Sequence, residues 1–473
     1  MSPLLNYFYI MILTGFFSLY LPVFSISENL FSAHAKELYI ATDGNDNWSG
    51  TLASPNHENT DGPLATIEKA QIVIRNLKKQ NSDMNFKILV RAGKYYLEKP
   101  LIISLEDSGT ASSPITYKAY DNETPILCGT KKVTNFVPYK GKVIKANLKG
   151  IIKEGQPFRQ LFINEKRAIL ARYPNFDASD PVGGGFLYVH KKDEINNKLN
   201  LLFRPSDIPE WKDNDGIQLF IFPEHNWGAF NLDIKSINSI KNLITLKKEC
   251  RRSIIEGNRY YLQNIFEALD SPGEWYFDEK EGVLYYWPKD DEEISGIEIP
   301  VLDTILKVEN NFGNKFRNPS NIQFEGFTFM GSEGSAIKID NSDNIVISKN
   351  TIFNTGKYGI EVTGGKNNSI EGNDIFETGH TGIAISSGQY EGMILSNNIA
   401  KNNHIVKTGV FEKGGASGIL CRGVGNIISH NEIHTMPRVG IWVDGNDLRL
   451  PLAARAGLRH RRADDRHDGD RAV

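Results

Sequence analysis

The stretch "NTIFNTGKYGIEV" (350–362) is followed 23 residues later by "NDIFETGHTGIAI" (373–385), and the two match in residue type at most positions. Each begins with an Asn-x-Ile unit and ends with a Gly-Ile unit. The Asn-x-Ile unit recurs at Asn403 and Asn431. Small-residue–Ile units end at Ile337, Ile360, Ile383, Ile419 and Ile441, with the last three intervals being 23, 36 and 22 residues. Repeats of this length indicate a solenoid.

We interpret each repeat as one coil of a right-handed parallel β-helix, an all-β fold. Leucine-rich repeats have a similar length, but leucines do not stand at fixed offsets here, and propeller blades need a longer period. Short strands with inward isoleucines would stack about 4.8 Å apart. Residues 301–447 are therefore predicted to form β-helix coils, in which Asn350, Asn373, Asn403 and Asn431 form a side-chain amide ladder.

Residues after each Gly-Ile unit should alternate between the interior and the surface of the solenoid. The inward pairs are then Ile337/Ile339, Ile360/Val362, Ile383/Ile385, Ile419/Cys421 and Ile441/Val443. The first outward column is Lys338, Glu361, Ala384, Leu420 and Trp442, and the second is Asp340, Thr363, Ser386, Arg422 and Asp444. Neighbours in a column lie one strand spacing apart, so Arg422 should contact Asp444, with Trp442 beside them.

An exposed aromatic ring beside a charge pair suits a sugar, because the ring stacks on the pyranose and the charges bind hydroxyl groups. We take Trp442 and Arg422 as candidate substrate-binding residues, and Asp444, Glu361 and Asp447 as candidate catalytic carboxylates. The alternative is a solvated sheet face with one ion pair, since surface pairs are common and weak.

The corner before the outward face adds two further candidate substrate-binding residues. His380 stands at a turn, and Glu412 lies in "GVFEKGGASG" (409–418), the insertion in the longest coil. Insertions on one face of a solenoid usually border the binding groove. The alternative for this insertion is a mobile loop.

No metal or cofactor is predicted. Asp43, Asn45 and Asn47 have the spacing of a calcium loop, but Trp48 stands where glycine is needed. His430 and His434 are four residues apart, but on a strand and turn, where that spacing does not converge as it does on a helix.

The N-terminal part predicts an exported protein with a cap and an inserted domain. Residues 1–35 are predicted to be a signal peptide, because an apolar stretch precedes Ala33-His34-Ala35; an uncleaved anchor is the alternative. The folded part should then be secreted or periplasmic. Residues 36–130 should form the cap and first coils, with a capping helix in "DGPLATIEKAQIVIRNLKK" (61–79) that opens near Pro63. The aperiodic residues 131–300 predict an inserted β-rich, sandwich-like domain.

The net charge and the cysteine content limit the classes of partner that we expect for this protein. The chain has 473 residues and a formal net charge of -3, which gives no field to attract nucleic acid. Three scattered cysteines, Cys128, Cys250 and Cys421, form no disulfide framework. We expect a monomer that binds a polysaccharide or oligosaccharide and has no membrane contact beyond the signal segment.

The arrangement of carboxylates and basic residues on the outer face distinguishes a hydrolase from a lyase. Glycoside hydrolysis needs two carboxyl groups that flank the bond. A lyase needs a basic residue and often a calcium site of clustered aspartates, and the outward columns hold no such cluster. The pattern therefore favours a hydrolase over a lyase. A non-catalytic polysaccharide-binding β-helix is the alternative from another class.

Several blocks resemble secreted bacterial β-helix proteins of the glycoside hydrolase type, a group that includes α-L-fucosidases and xylanases. They are "DGPLATIEKA", "LFINEKRAILARYPN", "ALDSPGEWYFDEKEGVLYYWP" and "HNEIHTMPRVGIWVDGND". The resemblance runs from Leu38 to Asp447. It implies a β-helix with an inserted β-sandwich-like domain and an activity on plant cell-wall polysaccharide.

The resemblance ends at Asp447. In that group further coils follow and carry the proposed catalytic carboxylates. Residues 448–473 hold seven Arg but no Lys, Asn or Ile. We expect this tail to be foreign to the fold, the β-helix to be truncated, and its last coil to fray. The resemblance leaves the activity of this particular chain open.

Overall fold

The computed structural model describes residues 35–80, 84–152, 158–212, 215–310 and 317–444. The predicted signal segment lies outside these residues except for Ala35, as do the candidate Asp447 and the tail of residues 448–473. Within the described ranges, no helix combines the length and apolar character that a membrane span requires.

Three parallel sheets form the main body. Sheet 1 consists, in spatial order, of Lys36–Ile40, Phe86–Val90, Ile115–Ala119, Ser320–Glu325, Asp343–Ser348, Ser369–Glu371, Ile399–Lys401 and Ile427–Ser429. Sheet 2 consists of Gly93–Tyr96, Pro125–Cys128, Thr328–Ser332, Thr351–Thr355, Asp374–Thr378, His404–Val406 and Glu432–His434. Sheet 3 consists of Leu101–Ile103, Leu306–Val308, Ile337–Asp340, Ile360–Thr363, Ile383–Ser386, Ser417–Arg422 and Val439–Asp444.

Each complete coil contributes one strand to each sheet, in the order sheet 1, sheet 2, sheet 3. In sheet 3 the strand register aligns the predicted isoleucines in one interior column: Ile337, Ile360, Ile383, Ile419 and Ile441. All but the last are fully buried. Burial of one such side chain is worth about 1.5–3 kcal/mol, so this column is a main source of stability. The predicted β-helix is confirmed.

The predicted asparagine ladder is also present. The side-chain amide of Asn350 donates to Oδ1 of Asn373 (3.1 Å), Asn373 donates to Asn403 (2.9 Å), and Asn403 donates to Asn431 (2.9 Å). The ladder occupies the corner between sheets 1 and 2. Because each amide also donates to a backbone carbonyl of the preceding coil, it satisfies groups that the turn leaves unpaired.

A second ladder, not predicted from the sequence, precedes sheet 1. Asn368 donates to Asn398 (3.0 Å), and Asn398 donates to Asn426 (3.4 Å). Each of these residues stands immediately before a strand of sheet 1, where Oδ1 of Asn368 also accepts the backbone N–H of Ile345. Two of the three corners of these coils are thus fixed by side-chain amides, which are buried except at Asn426 and Asn431 of the last described coil.

The N-terminal helix Ile67–Gln80 (α1) packs on the first coils through Ile67, Ala70 and Ile74. It begins at Ile67 rather than near Pro63, because the Thr66 hydroxyl accepts the backbone N–H of Lys69 and so caps the helix. Buried Gln71 donates to the carbonyl of Ile102 on the first strand of sheet 3 (2.9 Å), which satisfies an open sheet edge.

The chain leaves the β-helix between Cys128 in sheet 2 and Leu306 in sheet 3, and forms sheets whose strands pair antiparallel except for Ile169–Leu170, which pairs parallel with Glu274–Asp278. The strands are Thr130–Lys132, Val137–Lys140, Val143–Asn147, Phe162–Ile163, Lys166–Arg167, Ile169–Leu170, Arg172–Tyr173, Leu187–Tyr188, Asn200–Leu202, Gln218–Ile221, Phe230–Asn238, Leu243–Leu246, Arg259–Gln263, Glu274–Asp278, Val283–Tyr286 and Ile297–Pro300. Short 3-10 turns span Leu105–Asp107, Phe266–Ala268, Ile294–Gly296 and Glu391–Met393. The two larger apolar cores of the inserted region lie around Trp275 and Tyr286 and around Leu219 and Tyr260, and a smaller one lies around Phe220 and Phe222.

The interior column is exposed in the last described coil. Ile441 and Val443 are 48% and 71% exposed, whereas their neighbours Ile419 and Cys421 are buried. Within the described residues, the strand Val439–Asp444 pairs on one side only.

Candidate functional site

The predicted site residues lie on the outer face of sheet 3 and on the corner that precedes it. This corner is built by repeated short turns whose backbones bond from coil to coil. Gly379 donates to the carbonyl of Thr355 (2.7 Å), and His380 donates to the carbonyl of Lys357 (2.8 Å). His380 is thereby stacked on Lys357, directly beside the first residues of sheet 3.

Glu361 lies at the edge of this corner. One carboxylate oxygen accepts a hydrogen bond from the Ser335 hydroxyl (2.8 Å), and the other lies 3.8 Å from the Lys357 ammonium. Both partners fix the carboxylate on the outer surface, and its side chain remains partly accessible. A positioned carboxylate of this kind can accept a proton or attack an electrophilic carbon.

His380 is largely buried between an aromatic ring and a carboxylate. Its ring meets Tyr358 edge to face (5.2 Å between centroids), its Nδ1 lies 2.9 Å from the Thr381 hydroxyl, and its Nε2 lies 4.0 Å from Glu412. Burial lowers the pKa of His380, although the Glu412 carboxylate opposes that shift. A neutral imidazole here can donate or accept a hydrogen bond from a ligand.

Tyr358 joins these groups. Burial raises the pKa of its phenol, the nearby charges of Glu361 and Glu412 raise it further, and Arg422 lowers it. Tyr358 contacts His380, and His380 lies 4.0 Å from Glu412, so the structure brings together two of the predicted residues at this corner. Glu361 and Arg422 lie on strands of the adjoining sheet 3, two strands apart. The sequence does not predict Tyr358 as a site residue, because an aromatic side chain within a repeat is typical of the packed core.

The loop of residues 409–416 is docked rather than mobile. Backbone N–H groups of Phe411 and Glu412 donate to the carbonyl of Gly379 (3.0 and 3.1 Å). Its other side meets the inserted region, where Gly414 packs against Phe230 and Gly228. Glu412 is therefore held next to His380 by contacts with both parts of the chain.

The predicted contact between Arg422 and Asp444 is present, at 3.2 Å between Nε and Oδ2. Trp442 follows Leu420 in the same column, and the Arg438 guanidinium lies 5.2 Å from its ring centroid. Leu420 and Ala384 point outward but are only 5% exposed. Trp442 itself is partly exposed, and the accessible part of this face is therefore the polar column together with Lys338, Glu361 and Trp442 of the first column.

The three predicted catalytic carboxylates do not form one cluster. Glu361 and Asp444 stand on strands three positions apart in sheet 3, which corresponds to about 14 Å. Two carboxyl groups that flank a glycosidic bond lie roughly 5–9.5 Å apart, so these two cannot act as a direct pair. Asp447 lies outside the described residues.

Asp340 is a closer carboxyl partner for Glu361. It lies on the neighbouring strand and is displaced by two residues, because Lys338 pairs with Glu361 and Asp340 with Thr363. Burial raises the pKa of Asp340, and the charges of Glu361 and Glu309 add to that shift. The sequence placed Asp340 in the second outward column but contained no sign of its burial.

An exposed tryptophan of the inserted region borders the same loop. Trp227 is 69% exposed and lies against His225, with 5.0 Å between ring centroids. The next residue, Gly228, touches Gly414. No repeat or motif marked Trp227, because its closeness to the β-helix arises only from the docking of the loop.

A buried polar layer lies behind the loop. Arg167 bonds to Glu377 (3.2 Å) and Gln160 (2.9 Å), and burial lowers its pKa to about 10. Glu333 accepts hydrogen bonds from Arg159 (3.0 Å) and Gln160 (3.1 Å), and its pKa is raised by burial. These groups tie the inserted region to the corner of the coils.

Of the residues that the structure describes, one group of three could hold a metal ion: His404, Glu432 and His434. It lies on sheet 2, away from the corner described above.

Comparisons with known proteins agree with this architecture. Residues 303–417 match the family model described as a right handed beta helix region, and residues 245–289 match the model of the GH141 insertion domain. A comparison with curated protein sequences found no match.

Among solved structures, one described as a glycoside hydrolase is similar over 87% of this chain and 86% of its own, with 19% identity and a TM-score of 0.68. The structure of XylC in complex with xylose is similar over 86% of this chain and 60% of its own, with 15% identity and a TM-score of 0.45. The fold is thus a right-handed parallel β-helix with an inserted domain.

Proposed function

We propose that this protein hydrolyses a glycosidic bond in a polysaccharide, with Asp340 as the general acid and Glu361 as the base or nucleophile. The observation that carries the proposal is the placement of two carboxyl groups on adjacent strands in unlike surroundings. Burial and like charge favour the protonated form of Asp340, whereas Glu361 faces an ammonium group and a hydroxyl donor. Pairs of this kind divide acid and base roles.

The separation suits the chemistry. A displacement of one strand and two residues corresponds to about 8 Å between backbone positions. Asp340 would protonate the leaving oxygen of the glycosidic bond. Glu361 would either activate a water molecule or attack the anomeric carbon, and the distance between the two carboxyl groups in the bound state decides which.

Several neighbours would hold the sugar. Tyr358 and His380 offer a ring face and a hydrogen-bonding nitrogen, and Arg422 offers a cation for hydroxyl or carboxylate groups. Trp442 lies further along the coil axis, and Trp227 lies beside the docked loop. Aromatic rings bury large apolar area at little entropic cost, which suits stacking against pyranose rings.

The architecture supports a carbohydrate substrate, since a structure described as a glycoside hydrolase shares the fold over most of both chains. The match to the GH141 insertion domain agrees with the sequence resemblance to enzymes of plant cell-wall polysaccharides. We therefore choose xylan, pectin and fucosylated oligosaccharides as the substrates to test first.

The experiment compares product release by the wild type, Asp340→Asn, Glu361→Gln and the control Glu325→Gln, whose carboxylate lies on sheet 1. Loss of a general acid or base should lower turnover by about 10²–10⁴-fold. Glu325→Gln should keep full activity. Hydrolysis at wild-type rates by both site variants would overturn the assignment. Unsaturated uronates among the products would indicate a lyase.

A second candidate function is polysaccharide binding without hydrolysis, favoured by the high exposure of Trp227. It predicts retention of the polysaccharide, no products, and weaker binding by Trp227→Ala but not by Asp340→Asn.

Export is part of the proposal and is supported by the apolar stretch Leu4–Phe24 followed by Ala33-His34-Ala35. The intact mass of protein recovered from a secreting host should equal that of a chain beginning after residue 35. An uncleaved, membrane-associated product would contradict cleavage.

A further inference from the structure

Two histidines face each other on the outer surface of sheet 2. Nε2 of His404 lies 3.0 Å from Nε2 of His434. The residues come from successive strands, His404–Val406 and Glu432–His434, in which His404 pairs with Glu432. His434 is therefore the diagonal neighbour of His404 on the same face.

The other ring nitrogens are held by oxygen partners. Nδ1 of His404 lies 2.8 Å from Oδ1 of Asp374, and Nδ1 of His434 lies 3.0 Å from the Thr435 hydroxyl. A carboxylate only accepts, so Nδ1 of His404 carries the proton and its Nε2 presents a lone pair when the ring is neutral. The Thr435 hydroxyl can accept the Nδ1 proton of His434, and in that tautomer Nε2 of His434 also presents a lone pair, so that a cation between the two Nε2 atoms would replace their direct contact.

Glu432 supplies a third donor. One ligand atom each from His404, Glu432 and His434 lie within 4.8 Å of one another. All three side chains are at least partly accessible, so an ion and its water can reach them. The set is two imidazoles and one carboxylate, with the Asp374 carboxylate behind one imidazole.

We propose that His404, Glu432 and His434 bind a divalent transition-metal ion, with zinc as the ion the donor set suits best. Zinc bound by nitrogen at roughly 2.0–2.1 Å in a tetrahedron has its ligands about 3.3 Å apart, close to the separation of the two Nε2 atoms. Three protein ligands leave the fourth position for water. Asp374 would act as the outer partner that fixes the tautomer and raises the basicity of His404.

The site would cross-link two coils. His404 and the Glu432–His434 strand lie one coil apart, next to the end of the described solenoid. A metal bound here stabilises the folded state by mass action and reduces the opening of the last strands of sheet 2. This role does not depend on the carboxyl pair of sheet 3.

The experiment uses the full chain stripped of metal and titrated with Co²⁺ and then Zn²⁺. The wild type should bind about one equivalent with the visible spectrum of four-coordinate cobalt, and zinc should displace it. Either His404→Ala or His434→Ala should abolish that spectrum. Asp374→Asn should weaken affinity about 10–100-fold. Circular dichroism verifies that each variant folds.

His430→Ala is the matched control, since this exposed histidine lies near the same strand outside the group. It should bind cobalt as the wild type does, and the histidines at 460 and 467 remain in every variant. The proposal is overturned by a wild type that yields no four-coordinate spectrum, or by a double variant H404A/H434A that binds as tightly as the wild type.

Discussion

Asn373 donates its side-chain amide to the side-chain oxygen of Asn403 across 2.9 Å, one coil away. Its own side-chain oxygen accepts the backbone N–H and the side-chain amide of Asn350 (3.0 and 3.1 Å). All of these groups are buried, so removing the amide leaves donors and acceptors of two coils unpaired.

We predict that Asn373→Ala lowers the free energy of unfolding by about 3 kcal/mol, the cost of unsatisfied buried polar groups. The measurement is urea denaturation. Asn76→Ala, an exposed position on α1, serves as the control and should leave the midpoint nearly unchanged. Equal midpoints for both variants would show that the ladder contributes little.

The proposed acid–base pair predicts a shift in the pH profile. Glu309 is one of the charges that raise the pKa of Asp340. Glu309→Gln removes that charge, so Asp340 should lose its proton at a lower pH. We expect the alkaline limb of kcat/KM to move to lower pH by a fraction of a unit, while the acid limb stays in place. Glu256→Gln, on the exposed surface of the inserted region, should leave both limbs unchanged.

Trp442 gives a prediction for binding. Its ring continues the outward column beyond Leu420 and is accompanied by Arg438. Trp442→Ala should weaken polysaccharide binding about fivefold or more, since a stacked aromatic pair contributes about 1 kcal/mol beyond area burial. Isothermal titration with the best oligosaccharide tests this. Tyr188→Ala is a control at an exposed aromatic residue of the inserted region, and an unchanged affinity of Trp442→Ala would reject this face.

The docking of the loop of residues 409–416 on the inserted region predicts that a substitution in that region changes the activity. A Cβ atom on Gly228 would lie 2.3 Å from Cα of Gly414, so Gly228→Ala must push the loop of residues 409–416 away. We expect lower kcat/KM and faster proteolytic cleavage within the loop, because Glu412 loses its support. Gly414→Ala is the milder comparison, since its nearest new contact is 3.3 Å. Equal protection of both variants and the wild type would contradict a docked loop.

The periodic part of the fold could be predicted because repetition reveals which residues share a side. The column through Ile360 and Ile383 and the ladder through Asn373 follow from equal offsets in successive coils. The second ladder has a similar signal, since Asn368 and Asn398 each precede a strand of sheet 1 that contains an isoleucine, Ile370 or Ile399. This signal is weaker than that of the first ladder, because the offset from asparagine to isoleucine differs between the two coils.

The candidate site could be predicted only in part. Glu361, His380 and Arg422 follow from the coil pattern, but the placement of Glu412 depends on a contact between Gly228 and Gly414 that has no sequence signature. The histidine pair could have been found. His404 and Glu432 each follow a ladder asparagine, so aligning the two coils places them side by side. Comparing His430 with His434 within one coil does not show this.

The ladder asparagines keep the alignment of the coils independent of the lengths of the segments that connect them. The interval between successive ladder positions changes from 23 to 30 to 28 residues, yet each amide meets the next at nearly the same distance. Additional residues therefore form surface loops, such as that of residues 409–416, and the stacked strands keep their alignment. Ligand preference in this architecture can diversify by lengthening or shortening surface segments while the scaffold keeps its alignment.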